Sequence, residues 1–325
     1  MQPQTHFVDV PGGQIAYDVT DGSGPLIVCA PGIGDRRQLY RFLRPVLAAA
    51  GYRVVTMDIR GHGESSIGWP MYSAAALGSD ILALVHHLNS AHPGTPHPSA
   101  APPRTPPPSA AHPSAAPPSA AHPSAAPPST PHPSREPASS EPVVVIAESI
   151  TTASAIWAAA EAPEQIAGLV LCGPAGRTPP SVMRRIVIKV GGEVAGRFRW
   201  AWMAYWASLF KARRPDDYLE YRKALAAMLA EPGRMPALHG MTSALAAGTA
   251  DECNARMPEV RCPALVVMGT KDPDSRDPAA EATAIAAELH GRAAMIEGAG
   301  HYAMAEFPDL VAAEILPFLK QVTGA

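Results

Sequence analysis

The 325-residue chain is short of cysteine and of net charge, and each shortage excludes something. Its four cysteines, Cys29, Cys172, Cys253 and Cys262, show none of the paired spacings that build a zinc site or a redox dithiol. Reduced thiols are expected, Cys253 and Cys262 included. A net charge of −3 lacks the basic excess that nucleic acid or an anionic membrane demands of a partner. No 18-residue apolar run is present, and the opening "MQPQTHFVDVPGG" has neither the basic start nor the apolar core of a secretion signal. The expectation is a cytoplasmic protein with no membrane span. The acidic loop "DPDSRD", Asp272 to Asp277, lacks the sixth-position glycine and distal glutamate of a calcium loop, so no metal is expected.

Large apolar residues are missing from one segment altogether. Residues 92–141 contain seventeen prolines and no Val, Ile, Leu, Met, Phe, Trp or Tyr, and "PPSAAHPSAA" occurs twice in succession, from Pro107 and Pro117. Such a segment has nothing to bury against its ordering entropy and is expected to be a disordered insertion. Its five histidines read as letters of the repeat rather than as metal ligands. Lengthening a short connection tenfold costs only about 2 kcal/mol of closure entropy, so a folded domain tolerates it.

Elsewhere strands and helices alternate. The runs "FVDV", "QIAYDVT", "PLIVCA", "RVVTMDI", "VVVIAE", "AGLVLCG", "ALVVMGT" and "AAMIEGA" predict eight strands. Several are apolar throughout, as parallel strands covered on both faces are. This order predicts a doubly wound, mostly parallel α/β sheet, its two leading strands forming an antiparallel hairpin. The core is expected over 1–91, 142–174 and 258–325. Residues 175–257 interrupt the alternation with helical, aromatic sequence and are expected to form an inserted helical cap. In it Trp202, Tyr205, Trp206, Leu209 and Phe210 share one helix face. Nine basic residues against the single Glu193 between Arg177 and Arg214 mark a solvated face.

Loops at the carboxyl ends of parallel strands converge on one crevice. Ser149 follows "VVVIAE" and precedes an alanine-rich helix, where a sharp turn would push a hydroxyl outward and aim the first helical amides at it. The plain alternative is an ordinary helix cap. Ala147 and Thr151 occupy the positions where strand and helix approach, and threonine is bulky for that place. A serine nucleophile needs a base, and His301 in "EGAGHYAM" stands after the last strand. His62, in "DIRGHGES", reads as part of a structural turn. A carboxylate must orient the histidine: Asp272 in "GTKDPD" is the first choice, Asp274 its rival, with Asp277 also in the loop. Glu148 stands beside the serine and could modulate the site, but adjacency in sequence is expected to point its side chain elsewhere. The amides of Ile33 and Ile150 are expected as oxyanion donors. Gly32, Gly34, Trp202 and Trp206 are expected to line the substrate cleft.

Together these stretches resemble the α/β-hydrolase superfamily. "CAPGIGD" looks like its oxyanion loop, "DIRGHGES" matches its D-x-R-G-x-G-x-S turn, and "AESIT" is similar to a G-x-S-x-G elbow with both glycines replaced. "GTKD" and "GAGH" look like its acid and histidine loops, and the order Ser149, Asp272, His301 is the family's. The resemblance implies a cofactor-free enzyme that cleaves a small or medium ester, lactone or thioester through an acyl-enzyme. Carbon–carbon bond hydrolases and cofactor-free haloperoxidases share the frame, as do ligand receptors that keep a slow triad. Serine at the elbow argues against the epoxide-hydrolase and dehalogenase branches, whose nucleophile is a carboxylate. A small-molecule substrate and a monomer or small homo-oligomer are expected. The resemblance also implies that Cys29 and Cys172 lie too far apart to bridge, and that the proline-rich insertion leaves the sheet on the side opposite the crevice.

Overall fold

The computed structural model describes residues 4–90, 142–174 and 182–324, with the side chains of 182–189 excepted. The disordered insertion expected at 92–141 and the first residues of the expected cap, 175–181, lie outside the described residues.

The all-apolar run at 143–147 predicts a strand covered on both faces, and strand β5 (Val143–Glu148) is buried at every position. It lies inside an eight-stranded sheet of order β1-β2-β4-β3-β5-β6-β7-β8. The other strands are β1 (His6–Val10), β2 (Gly13–Val19), β3 (Leu26–Ala30), β4 (Arg53–Met57), β6 (Ile166–Cys172), β7 (Ala264–Gly269) and β8 (Arg292–Ile296). β2 runs antiparallel to both β1 and β4, and every other pairing is parallel. All eight expected strands are present, the leading hairpin among them.

Side chains alternate between two cores, the period-two pattern of a sheet with both faces covered. Ile27, Val144, Ile146, Val170 and Val267 face one side, where helices α1 (Leu43–Ala49) and α11 (Pro308–Thr323) pack. Val28, Val145, Leu171 and Val266 face the other, under α2 (Ala74–Ser90), α3 (Ile150–Glu161) and α9 (Pro278–Glu288). α2 ends at Ser90 and β5 begins at Val143, so the proline-rich segment is attached at the amino end of β5, away from Ser149. Cys29 and Cys172 are buried, free and separated by β5 between their strands, and the other two cysteines are free as well.

Between β6 and β7 the chain inserts helices α4 (Val182–Arg197), α5 (Arg199–Ser208), α6 (Tyr218–Met228), α7 (Arg234–Ala246) and α8 (Thr249–Asn254). The aromatic face expected as one helix through Phe210 is shorter, because α5 stops at Ser208. The backbone then turns to the histidine loop: Leu209 C=O accepts the His301 N–H at 3.0 Å. Glu306, in the short helix α10 (Ala303–Glu306), accepts the amides of Ala212 at 2.7 Å and Gly300 at 2.8 Å. The insertion is thus tied at α5 to the loop carrying His301.

Candidate active site

β5 and α3 are joined by one residue, Ser149, whose backbone sits at φ 57°, ψ −125°. Among the described non-glycine residues, only Ser149 and His290 have positive φ. A side chain in this region costs about 1–3 kcal/mol and persists only where its surroundings hold it. Here the Ser149 N–H donates to Cys172 C=O at 2.9 Å, and Ser149 C=O accepts the Thr152 N–H at 3.0 Å. Thr151, bulky by sequence, is part of the clamp. Its buried Oγ1 accepts the Glu148 N–H at 3.0 Å and lies 2.9 Å from Ala30 C=O and 2.7 Å from Glu148 C=O, joining the ends of β3 and β5. Ser149 is half-buried.

His301 lies in the loop after β8, with Nδ1 2.8 Å from Asp272 Oδ2. A carboxylate only accepts, so Nδ1 carries the proton and Nε2 is turned inward. Asp272 itself is fixed by the Asp274 N–H on its other oxygen at 2.9 Å. Asp274, the rival acid, takes the Tyr205 hydroxyl at 2.7 Å and stands 3.8 Å from Nε2. Asp277 caps α9 through the Ala280 N–H at 3.0 Å. The geometry pairs His301 with Asp272.

Glu148 does not point elsewhere. It continues the face of β5 set by Val144 and Ile146, and that face brings its carboxylate under the histidine, with Oε1 3.0 Å from Nε2. Both carboxylate oxygens are buried and neither meets a donor in hydrogen-bond geometry, so charge is the main part of the contact. No hydrogen bond joins Ser149 Oγ to His301 among the described residues. Such bonds commonly tighten only with substrate bound. Burial pushes the imidazole down, but Asp272, Glu148 and Asp274 outweigh it and hold His301 well above its ordinary range. Burial raises the Glu148 carboxyl, against the pull of His301.

The loop after β3 lies across this group. A Cβ at Gly32 would fall 2.1 Å from Glu148 Oε2 and 2.9 Å from Ser149 Cβ, so only glycine fits there. Among the described residues no hydrogen bond takes up the N–H of Ile33 or Ile150, and Ile150 opens α3 where helical amides have no internal partner. Gly34, at φ +70°, lies against the Trp202 indole, whose buried Nε1 has no partner. Trp206 is enclosed instead. Its Nε1 donates to Asp35 at 3.1 Å and its ring stacks on Tyr218 at 5.4 Å. Asp35 also accepts the Tyr221 hydroxyl, which anchors α5 and α6 to the Gly32–Gly34 loop.

Two contributions, Asp35 and Gly173, escaped the sequence reading, and the direction of Glu148 was misjudged. Gly173, at φ +57°, ends β6 where a Cβ would come within 3.1 Å of the His301 ring. A glycine directly after an apolar strand was its only signal. His62 is structural, as expected: it is buried, its Nδ1 faces Arg60 C=O at 3.0 Å, and burial lowers it to about 4. Asp272, Asp274 and His301 bring ligand atoms within 4.8 Å of one another; Asp272 Oδ2 and His301 Nδ1 are taken up by each other and Asp274 Oδ2 by the Tyr205 hydroxyl.

The match to known families settles what this arrangement belongs to. Residues 27–314 match the model of the Alpha/beta hydrolase family. The chain belongs to that family. This alpha/beta hydrolase is an enzyme. Over 84 residues it is 32% identical to the bifunctional epoxide hydrolase 2 of Sus scrofa, covering 25% of this chain and 15% of the relative's length. An esterase from Thermogutta terrifontis superposes with a TM-score of 0.68 at 20% identity, over 98% of this chain and 99% of the other. The enol-lactonase from Burkholderia xenovorans LB400 does so with a TM-score of 0.67 at 18% identity, over 97% and 100%. No helix among the described residues is long and apolar enough to cross a membrane.

Proposed function

We propose that this alpha/beta hydrolase is a cofactor-free serine hydrolase that cleaves a small or medium ester, lactone or thioester through an acyl-enzyme on Ser149. The observation that carries the reading is the Ser149 backbone, a costly positive φ at a one-residue turn between β5 and α3. In the reaction, Ser149 Oγ attacks the carbonyl carbon while His301 Nε2 takes its proton. Asp272 holds the Nδ1–H and steadies the imidazolium. The free amides of Ile33 and Ile150 receive the oxyanion, each such donor being worth about 3 kcal/mol of barrier. The proton on Nε2 passes to the leaving oxygen or sulfur as its bond to the carbonyl carbon breaks. Water, deprotonated by the same nitrogen, then releases the acyl group and restores the serine. Trp202, beside Gly34, would cover the apolar portion of the substrate.

The likeness to an epoxide hydrolase covers only 25% of the chain, and serine at the turn favours acyl chemistry. A panel of aryl esters of graded acyl length, a lactone, a thioester and an epoxide tests the reading. Steady turnover of at least one acyl substrate and none of the epoxide is expected. A single stoichiometric burst favours a receptor, and epoxide opening without acyl turnover contradicts the proposal.

A further inference from the structure

A carboxylate with no exposure and no hydrogen-bond donor is an expensive residue to keep, because burial withdraws its water and nothing replaces it. Glu148 is such a residue. Its one ion-pair partner within 4 Å among the described residues is His301. The space it occupies exists only because residue 32 is glycine. Nothing in the packing of β5 requires an acid there, since Val144 and Ile146 on the same face are served by apolar neighbours. The position is therefore explained by what the charge does to the histidine.

We propose that Glu148 is a second positioning carboxylate of the active site, holding His301 from its Nε2 side while Asp272 holds it from Nδ1. The inference rests on the hydrolase reading above for its catalytic consequence, and on geometry alone for the contact. Oε1 lies 3.0 Å from Nε2, yet the Glu148 carboxylate is outside hydrogen-bond geometry. The charge sits beside the ring nitrogen but off the line of a well-formed hydrogen bond. This arrangement stabilises the imidazolium without competing for the proton. When Ser149 Oγ gives its proton to Nε2, the positive ring forms between two carboxylates, and the same proton then passes to the departing group. Asp274 at 3.8 Å adds a third negative charge from the loop after β7, tempered by the Tyr205 hydroxyl it accepts. Tyr302 flanks the ring at 5.7 Å, and the Cys172 thiol at the end of β6 stays neutral because burial pushes it up. The same charges keep the resting ring protonated to higher pH, and acylation needs it neutral. Glu148 thus favours the imidazolium of the transition state and moves catalysis toward the alkaline side.

The test reads the ring directly and the rate separately. The full-length protein labelled with 15N-histidine is titrated by NMR as wild type, Glu148→Gln, Glu148→Asp and Ser149→Ala. His301 is expected to titrate lower in Glu148→Gln than in wild type, to fall between them in Glu148→Asp, and to be unmoved by Ser149→Ala. In parallel, kcat/KM for an aryl ester is followed from pH 5 to 10. The acid limb of Glu148→Gln shifts down, so that its rate at pH 6, relative to its own alkaline plateau, rises roughly tenfold over wild type. The plateau itself falls. If Glu148→Gln changes only thermal stability and leaves both the His301 titration and the acid limb in place, the carboxylate is structural and the proposal is wrong. Absence of ester turnover in wild type would overturn the hydrolase reading, while the NMR comparison would still decide the Glu148–His301 contact.

Discussion

Thr151 is where a residue that looks wrong for a sharp elbow can be shown to hold it together. Replacing it with valine keeps the shape and removes the hydroxyl. The Glu148 N–H then loses its acceptor at 3.0 Å inside a fully buried site. The carbonyls suffer less, since Ala30 C=O keeps the Tyr40 hydroxyl at 2.7 Å. One orphaned buried amide costs about 1–3 kcal/mol, and losing the hydroxyl's own donation adds to that, so Thr151→Val should cost about 2–3 kcal/mol. Thr151→Ser keeps the hydroxyl and loses one buried methyl, about 1 kcal/mol. Urea unfolding followed by tryptophan fluorescence should rank the variants wild type, serine, valine, with the midpoint falling and the slope unchanged. Labelling of the active site should slow in the valine variant as the strained turn relaxes. If valine proves at least as stable as serine, the hydroxyl is not the clamp and the explanation of the elbow fails.

Two further outcomes follow from the same geometry. Asp272→Asn should lower kcat by about four orders of magnitude by spoiling the tautomer of His301, while Asp274→Asn should cost far less; steady-state kinetics with one aryl ester compares them, and a larger loss at Asp274 would reassign the acid. Stability and activity should part company with pH. His301 and Glu148 are both raised in the fold, so their contribution to stability is fully present at acid pH and is lost as pH rises through the raised values, while the neutral base appears. His62 works in the opposite sense: lowered from 6.5 to about 4, it contributes about 3 kcal/mol above pH 6.5 that is lost as pH falls toward 4. Calorimetry should therefore find the melting temperature falling on both sides of neutrality, with the acid slope flattened in His62→Gln; an unchanged acid slope in that variant would remove His62 from the account.

The sheet was readable because its strands are long apolar runs separated by glycine and proline, a pattern that depends on burial and little else. "VVVIAE" and "ALVVMG" became β5 and β7 as written. The positions of Ser149, Asp272 and His301 were legible for the same reason, since each follows a recognisable strand end, and their catalytic roles rest on the proposal above. Glu148 was not, because adjacency along the chain conceals what alternation across a sheet decides: the residue before the turn takes the face on which the histidine arrives. Asp35 and Glu306 were hidden differently. Each is an acid in an unremarkable loop or short helix, and its meaning comes from partners more than 90 residues away, Trp206 and Tyr221 for Asp35 and the amide of Ala212 for Glu306. The break between α5 and the following segment also depended on those distant amides rather than on helix propensity.

The most direct measurement is the site of covalent capture. Purified full-length protein is treated with a fluorophosphonate, weighed intact and digested for mapping, alongside Ser149→Ala with circular dichroism to establish its fold. The account predicts one adduct per chain, carried by Ser149 and absent from the folded alanine variant. An adduct on another residue, or undiminished labelling of Ser149→Ala, would contradict it.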